Sequence, residues 1–135
     1  GGFIGSPAMN FFNGKLEDGK FVIGNTALAV PEGKMKYLRE QGYVGKSIIL
    51  GTRPEDIHDE PVFIDASAGS KIKAQVDVAE LTGAELMIYS SIGGQDFVAR
   101  VDSRGDIHPG DTLELAFDMN KAHFFDEETE SRIRP

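Results

Sequence analysis

The histidines His58, His108 and His123, the serines Ser6, Ser47, Ser67, Ser70, Ser90, Ser91 and Ser103, and a surplus of carboxylates are the groups through which this chain could do chemistry. A serine nucleophile raised on a strand-to-helix turn needs Gly-x-Ser-x-Gly, and that run is absent. Metal ligands on one element recur at i, i+2 or i, i+4, so that their donors share a face. His58 precedes Asp59 and Glu60, but adjacent residues point apart, and no metal site is expected. Nucleotide hydrolysis needs a Gly-x-x-x-x-Gly-Lys-Ser/Thr loop to surround the phosphates, and the sequence has none. Arg104-Gly105-Asp106 matches a cell-adhesion tripeptide, but three residues match by chance and a loop is the better account. No catalytic, cofactor or metal residue is therefore expected.

The totals bound what remains. A chain of 135 residues can bury one real core. Cysteine is absent, which excludes disulfides and thiolate sites and is the habit of a reducing compartment, so a cytoplasmic location is expected. No apolar run approaches the roughly 20 residues of a membrane-spanning helix, and Gly1-Gly2-Phe3 lacks the anatomy of a secretory signal. The net charge of −8 repels phosphodiester backbones, and Lys34, Lys36 and Arg39 are interleaved with Glu32 and Glu40, which argues against nucleic acid.

The elements that would position these groups are mostly strands. Alternation of period two, broken by frequent turn signals, predicts an all-β barrel or sandwich. Asp18-Gly19 predicts a hairpin turn of the primed kind, with Leu16 opposite Phe21 and Gly14 opposite Ile23. A short strand at 26–30 leads to Pro31, which opens one helix with Met35 and Leu38 on a shared face and Gly42 at its stop. Strand returns at 43–53, and 54–69 reads as loop with a short strand at Val62-Phe63-Ile64. From Lys71, the residues Ile72, Ala74, Val76 and Val78 face one way. Gly93-Gly94 predicts a second hairpin pairing Ser90 with Phe97, Ile88 with Ala99 and Leu86 with Val101. A turn at 108–111, a strand at 112–117 and a last strand at 123–125 complete the chain. In the doublets Phe11-Phe12 and Phe124-Phe125 one ring should be buried and the other covered by a neighbour or subunit. The expected organisation is a single domain, 1–135, with a strap at 1–12, a first lobe at 13–57, a loop seam at 58–70 and a second lobe at 71–135.

Several phrases, in order, carry a resemblance. They are Phe3 to Phe12, Gly51-Thr52-Arg53-Pro54-Glu55-Asp56, Val78 to Glu85 as a turn between strands, Val98 to Asp102, Pro109-Gly110-Asp111, Ala116-Phe117-Asp118 with His123 to Asp126, and Asp126 to Ile133. Together they resemble the C-terminal regulatory domain of the ATPase subunit of carbohydrate-importing ABC transporters, of the maltose and multiple-sugar type. The resemblance implies a mainly β, OB-like barrel (the transport-associated OB module) with an additional β lobe and one short helix. It implies a non-catalytic regulatory and dimerisation domain with no cofactor of its own, ATP and Mg belonging to a motor domain outside this chain. It further implies a cytoplasmic homodimer, peripheral to the inner face of the cell membrane without direct insertion. Membrane subunits would be met through the ATPase domain, and a phosphotransferase-type regulatory protein is a further implied partner. Ser91-Ile92-Gly93-Gly94-Gln95 looks a little like the Leu-Ser-Gly-Gly-Gln signature of ABC ATPases, but strand alternation brackets it, and a turn is the reading.

Within that frame Arg53, Pro54, Glu55 and Asp56 are the candidate interface, where a fixed proline would aim charges outward between subunits; the plainer alternative is an Arg-Glu pair tying the loop to its own barrel. Ser6, Pro7, Met9, Asn10 and Phe11 are the candidate hinge strap, or else simple packing against the barrel. Two other functions stay open: a small-ligand sensor for sugars or oxyanions, with its pocket at the 54–69 break, and an oligonucleotide-binding barrel.

Overall fold

The computed structural model describes residues 7–102 and 106–135. Among these residues eleven strands form three antiparallel sheets, accompanied by two α-helices, and the first sheet joins strands from the two ends of the described chain. Strands β1 (Asn10–Glu17), β2 (Lys20–Ile23), β3 (Thr26–Ala29), β4 (Ser47–Thr52) and β11 (His123–Asp126) pair in the order β11-β4-β1-β2-β3. A second sheet, ordered β5-β10-β6, joins β5 (Ile57–His58), β10 (Thr112–Phe117) and β6 (Lys71–Gln75). The third is the meander β7 (Val78–Thr82), β8 (Glu85–Ile92) and β9 (Gln95–Asp102). The fold is mainly β and OB-like. Among the described residues the three ladders are not bonded into one closed cylinder; side chains join them.

Local chemistry explains most elements. Pro31 precedes helix α1 (Glu32–Glu40), whose buried residues are Met35 and Leu38, and Gly42 follows it with φ of 79°. Gly93 and Gly94 have φ of 55° and 77°, the pair of positive values a primed hairpin turn demands, and Ser90, Ile88 and Leu86 face Phe97, Ala99 and Val101. The first hairpin differs. Leu16 pairs with Phe21, but only Gly19, at 93°, has positive φ, so the Asp18-Gly19 turn is not of the primed kind. Asp18 keeps the negative φ that its side chain prefers.

Other expectations fail for identifiable reasons. The 54–69 segment is not loop: Pro54–Asp56 is a 3-10 turn, Pro61–Ala66 is helix α2, and Ala68–Ser70 is a second 3-10 turn. Val62-Phe63-Ile64 is helical because Pro61 pre-sets the first helical φ and only Ile64 is needed in the core, leaving Val62 83% exposed. Val78 does not continue the inward row of Ile72, Ala74 and Val76, since the chain changes sheets at Asp77, and Val78 is 49% exposed. Val78 to Thr82 is itself a strand, so the turn expected over 78–85 shrinks to Gly83-Ala84. The strand expected from Tyr43 begins at Ser47. The division into lobes at 58–70 is crossed by β11, which lies in the sheet of β1 to β4.

One core runs through all three sheets. Phe12 from the first, Phe117 from the second and Phe97 from the third meet with ring centroids 5.7–6.1 Å apart. Each is nearly or wholly buried, and aromatic contacts of this kind add to the area they remove from water. This triad sets the position of the elements described next.

Candidate functional site

The two leading sequence phrases are neighbours in space. β1 and β4 are antiparallel, and their register sets Phe11 opposite Gly51 and Asn10 opposite Thr52, so the strap enters the fold beside the start of the 53–56 turn. Asn10 is 4% exposed. Its Nδ2 donates to the Val98 carbonyl (2.9 Å), and the Val98 N–H donates to its Oδ1 (2.8 Å). A carboxamide carries the donor and acceptor of a peptide group, so this side chain imitates a strand pair between two sheets. Gln95 reciprocates from β9: its Nε2 donates to the Asn13 carbonyl (2.8 Å) and its Oε1 accepts from the Asn13 N–H (2.7 Å). Two amide clasps thus join β1 to β9.

The turn reaches the same strand. Asp56 N–H donates to the Arg53 carbonyl (2.9 Å), closing the turn that Pro54 opens. Arg53 and Glu55 are exposed, whereas Pro54 and Asp56 are buried. A three-residue turn laid on a sheet must turn alternate side chains inward. Glu55 Oε1 lies 3.2 Å from the Arg100 guanidinium, whose Nε is 3.5 Å from Glu85. The Arg53–Glu55 pair does not form; Glu55 ties the turn to β9 through Arg100 instead. The Asp56 carbonyl accepts from the Asp118 N–H (2.8 Å), and its carboxylate has Lys121 Nζ at 3.9 Å. Burial raises the Asp56 pKa above its ordinary value, Lys121 opposes this, and Glu55 and Asp118 add to it.

Strap residues have distinct surroundings. Phe11 is 55% exposed and meets Phe125 edge-on at 5.6 Å. Met9 is half-buried; a Cβ on Gly51 would lie 2.6 Å from its sulfur. Pro7 is exposed beside a cavity of about 370 Å³ shared with Asn10, Tyr89 and Phe97. Ser6, Ser103, Arg104 and Gly105 lie outside the described residues.

Three of the chemical candidates settle into structural work. Ser90 Oγ donates to the Gln75 carbonyl (2.6 Å) and Ser70 Oγ to the Phe117 carbonyl (2.9 Å). His58 stacks on Phe63 at 4.1 Å, and its Nδ1 lies 3.1 Å from Glu60 Oε2, an i, i+2 pairing. Among the described residues no three such side chains gather in the manner of a metal site. The 54–69 break does border a cavity of about 310 Å³, lined by Phe63, the 66–70 segment, Phe117 and the 118–120 turn. Gln95, Val98 and Arg100 are the residues that sequence reasoning missed. Val98 and Gln95 lie more than 80 positions from their partners Asn10 and Asn13, Arg100 is likewise far along the chain from Glu55, and no spacing rule links such separations.

Comparison with known proteins identifies the class. Residues 5–57 match the MalK OB fold domain and residues 50–125 the TOBE domain, and the two matches overlap on the 53–56 turn. The chain belongs to the TOBE domain family. It is 66% identical over 134 residues to the oligosaccharides import ATP-binding protein MsmX of Bacillus subtilis, covering 99% of this chain and 37% of that protein. It is 44% identical over 134 residues to the multiple sugar-binding transport ATP-binding protein MsmK of Streptococcus mutans, covering 98% of this chain and 36% of that one. The chain thus spans little more than a third of the length of these relatives. A solved structure of the cytoplasmic molybdate-binding protein ModG superposes with a TM-score of 0.64 at 14% identity, over 85% of this chain and 94% of that one, a likeness of fold. Among the described residues no helix is long and apolar enough to cross a membrane.

Proposed function

We propose that this chain is the regulatory and dimerisation module of the ATP-binding subunit of a sugar importer, and performs no reaction itself. Identity of 66% along the whole chain to an oligosaccharide import ATP-binding protein is the observation that carries the reading. The geometry supports it: the strap and the 53–56 turn are fastened side by side, so a displacement of one is felt by the other and by β9. ATP and Mg belong to the motor domain of the parent subunit, which meets the membrane subunits at the inner face of the membrane. Two copies of this module hold their motors together, with the exposed Arg53 and Glu55 in the contact, and a phosphotransferase-type protein is a candidate regulator.

Light scattering on the purified chain tests the dimer. A doubled mass at micromolar concentration, returning to a single mass in a folded Arg53→Glu variant, is the expected result. A wild-type monomer at all concentrations removes dimerisation by this module alone, and measurable nucleotide turnover removes its non-catalytic role.

A further inference from the structure

The outward face of the five-stranded sheet carries a feature unlike the rest of this acidic molecule. Phe11, Asn13, Ile49, Gly51, His123 and Phe125 share that face through the registers of β1, β4 and β11. A Cβ on Gly51 would come within 2.6 Å of the Met9 sulfur and 2.7 Å of the Phe125 ring, so Met9 and Phe125 close over this glycine. Beside it the two rings stand at an open groove of about 480 Å³, lined also by Asn13, Ile49 and Glu130. That volume lies within the range of small-molecule sites.

Cations adjoin the aromatic end. The chain doubles back after β11, pairing Arg132 with Phe125, and the Ile133 N–H donates to the Phe124 carbonyl (2.8 Å). The same register sets Arg134 beside His123. On the other side His123 pairs with Gly51, and Arg53 is two residues beyond it on the same face. Lys34 approaches from α1. Burial, then Arg132, Arg53, Lys34 and Arg134, depress the pKa of His123, so its ring is neutral at pH 7. Its Nδ1 is buried without a hydrogen-bond partner. Among the described residues the ion pairs engage Lys20, Arg39, His58, Lys71, Arg100 and Lys121, and none of these four cations. Four cations without an ion pair among the described residues, in a chain of net charge −8, are a local reversal of field.

We propose that this face binds a sugar phosphate, the phosphoryl group held by Arg132, Arg134 and Lys34, and the sugar ring lying against Phe11 and Phe125. Guanidinium groups match the geometry of a phosphate dianion, while aromatic rings suit the apolar face of a pyranose whose hydroxyls reach Asn13 and Glu130. The inference rests on the regulatory reading only for its purpose, since binding by this chain needs neither a dimer nor a motor domain.

Calorimetry of the 135-residue chain with glucose 6-phosphate, glycerol 3-phosphate, inorganic phosphate and glucose tests it. Glucose 6-phosphate should bind one per chain, about tenfold or more tighter than inorganic phosphate or glycerol 3-phosphate, and glucose should give no signal. Arg132→Ala with Arg134→Ala, both exposed positions, should weaken it by about tenfold or more at unchanged melting temperature. Phe11→Ser should erase the preference for the sugar ester over inorganic phosphate. Absence of heat with every probe, or binding untouched by the double arginine variant, overturns the site. Equal affinity for inorganic phosphate and glucose 6-phosphate overturns the sugar assignment. Light scattering on the same samples reads the dimer separately, so the two proposals fail independently.

Discussion

The two faces of the five-stranded sheet use the same residue type in opposite ways. Phe12 and Phe124 are wholly buried on the inner face, while their chain neighbours Phe11 and Phe125 stand on the outer one, Phe11 more than half exposed. Alternation along a strand forces each doublet apart, so hydrophobicity alone does not say which ring serves the core. The inner face meets two other sheets. The outer face has a half-exposed ring, a groove beside it and arginines that make no ion pair among the described residues. Stability is invested on one side, and exposed chemistry is left on the other.

The largest effect should come from breaking that asymmetry at its centre. Phe12 holds the three-sheet ring triad, so Phe12→Ala should cost about 3–5 kcal/mol in urea unfolding, whereas Phe11→Ser should stay within about 0.5 kcal/mol. Similar losses at the two positions would show that the outer ring is also part of the core and would remove the comparison.

A second test asks whether polar clasps share the work of the inner face. Asn10→Ala orphans both the N–H and the C=O of Val98 in a buried place, at a cost of about 2–4 kcal/mol. Gln95→Ala acts at an exposed pair and should cost about 0.5–1.5 kcal/mol. Hydrogen exchange at the Val98 amide should speed up in the first variant and not in the second. Equal protection in both would mean that β1 and β9 are held by the rings alone.

These contrasts also mark what the sequence could disclose. The Gly93-Gly94 hairpin, helix α1 and the strand 112–117 were legible, because turn chemistry and periodicity act over a few residues. Asp18-Gly19 misled because the dipeptide permits a primed turn without compelling one, and only Gly19 crossed to positive φ. Helix α2 was read as strand since three apolar residues in a row have no period of their own, and burial of Ile64 alone decided the matter. Of the candidate site, the proximity of strap and turn follows from two strand phrases pairing, but the Asn10–Val98 and Glu55–Arg100 links depend on how sheets pack, which no local pattern encodes. The cations around His123 were invisible for the same reason: they come from 34, 53, 132 and 134.

The smallest effect belongs to the rim between the faces, where β11 ends. Asp126 Oδ1 accepts from the Thr129 and Glu128 N–H groups, each at 2.9 Å, and Oδ2 accepts from the Tyr43 hydroxyl at 2.7 Å. The Thr129 amide first, then Tyr43, hold its pKa below the ordinary 3.8, against a small opposing effect of burial. A carboxylate depressed by folding contributes stability above its unfolded pKa and loses it as pH falls through the folded value. Asp56 works in the other direction, since its raised pKa removes stability as pH rises through the interval between its unfolded and folded values. Wild type and Asp126→Asn share Asp56, so the difference in their melting temperatures isolates Asp126. That difference should be full near pH 6 and should close as pH drops below the carboxylate range. A gap that stays constant down to strongly acid pH would assign the contribution of Asp126 to its shape in the turn and not to its charge.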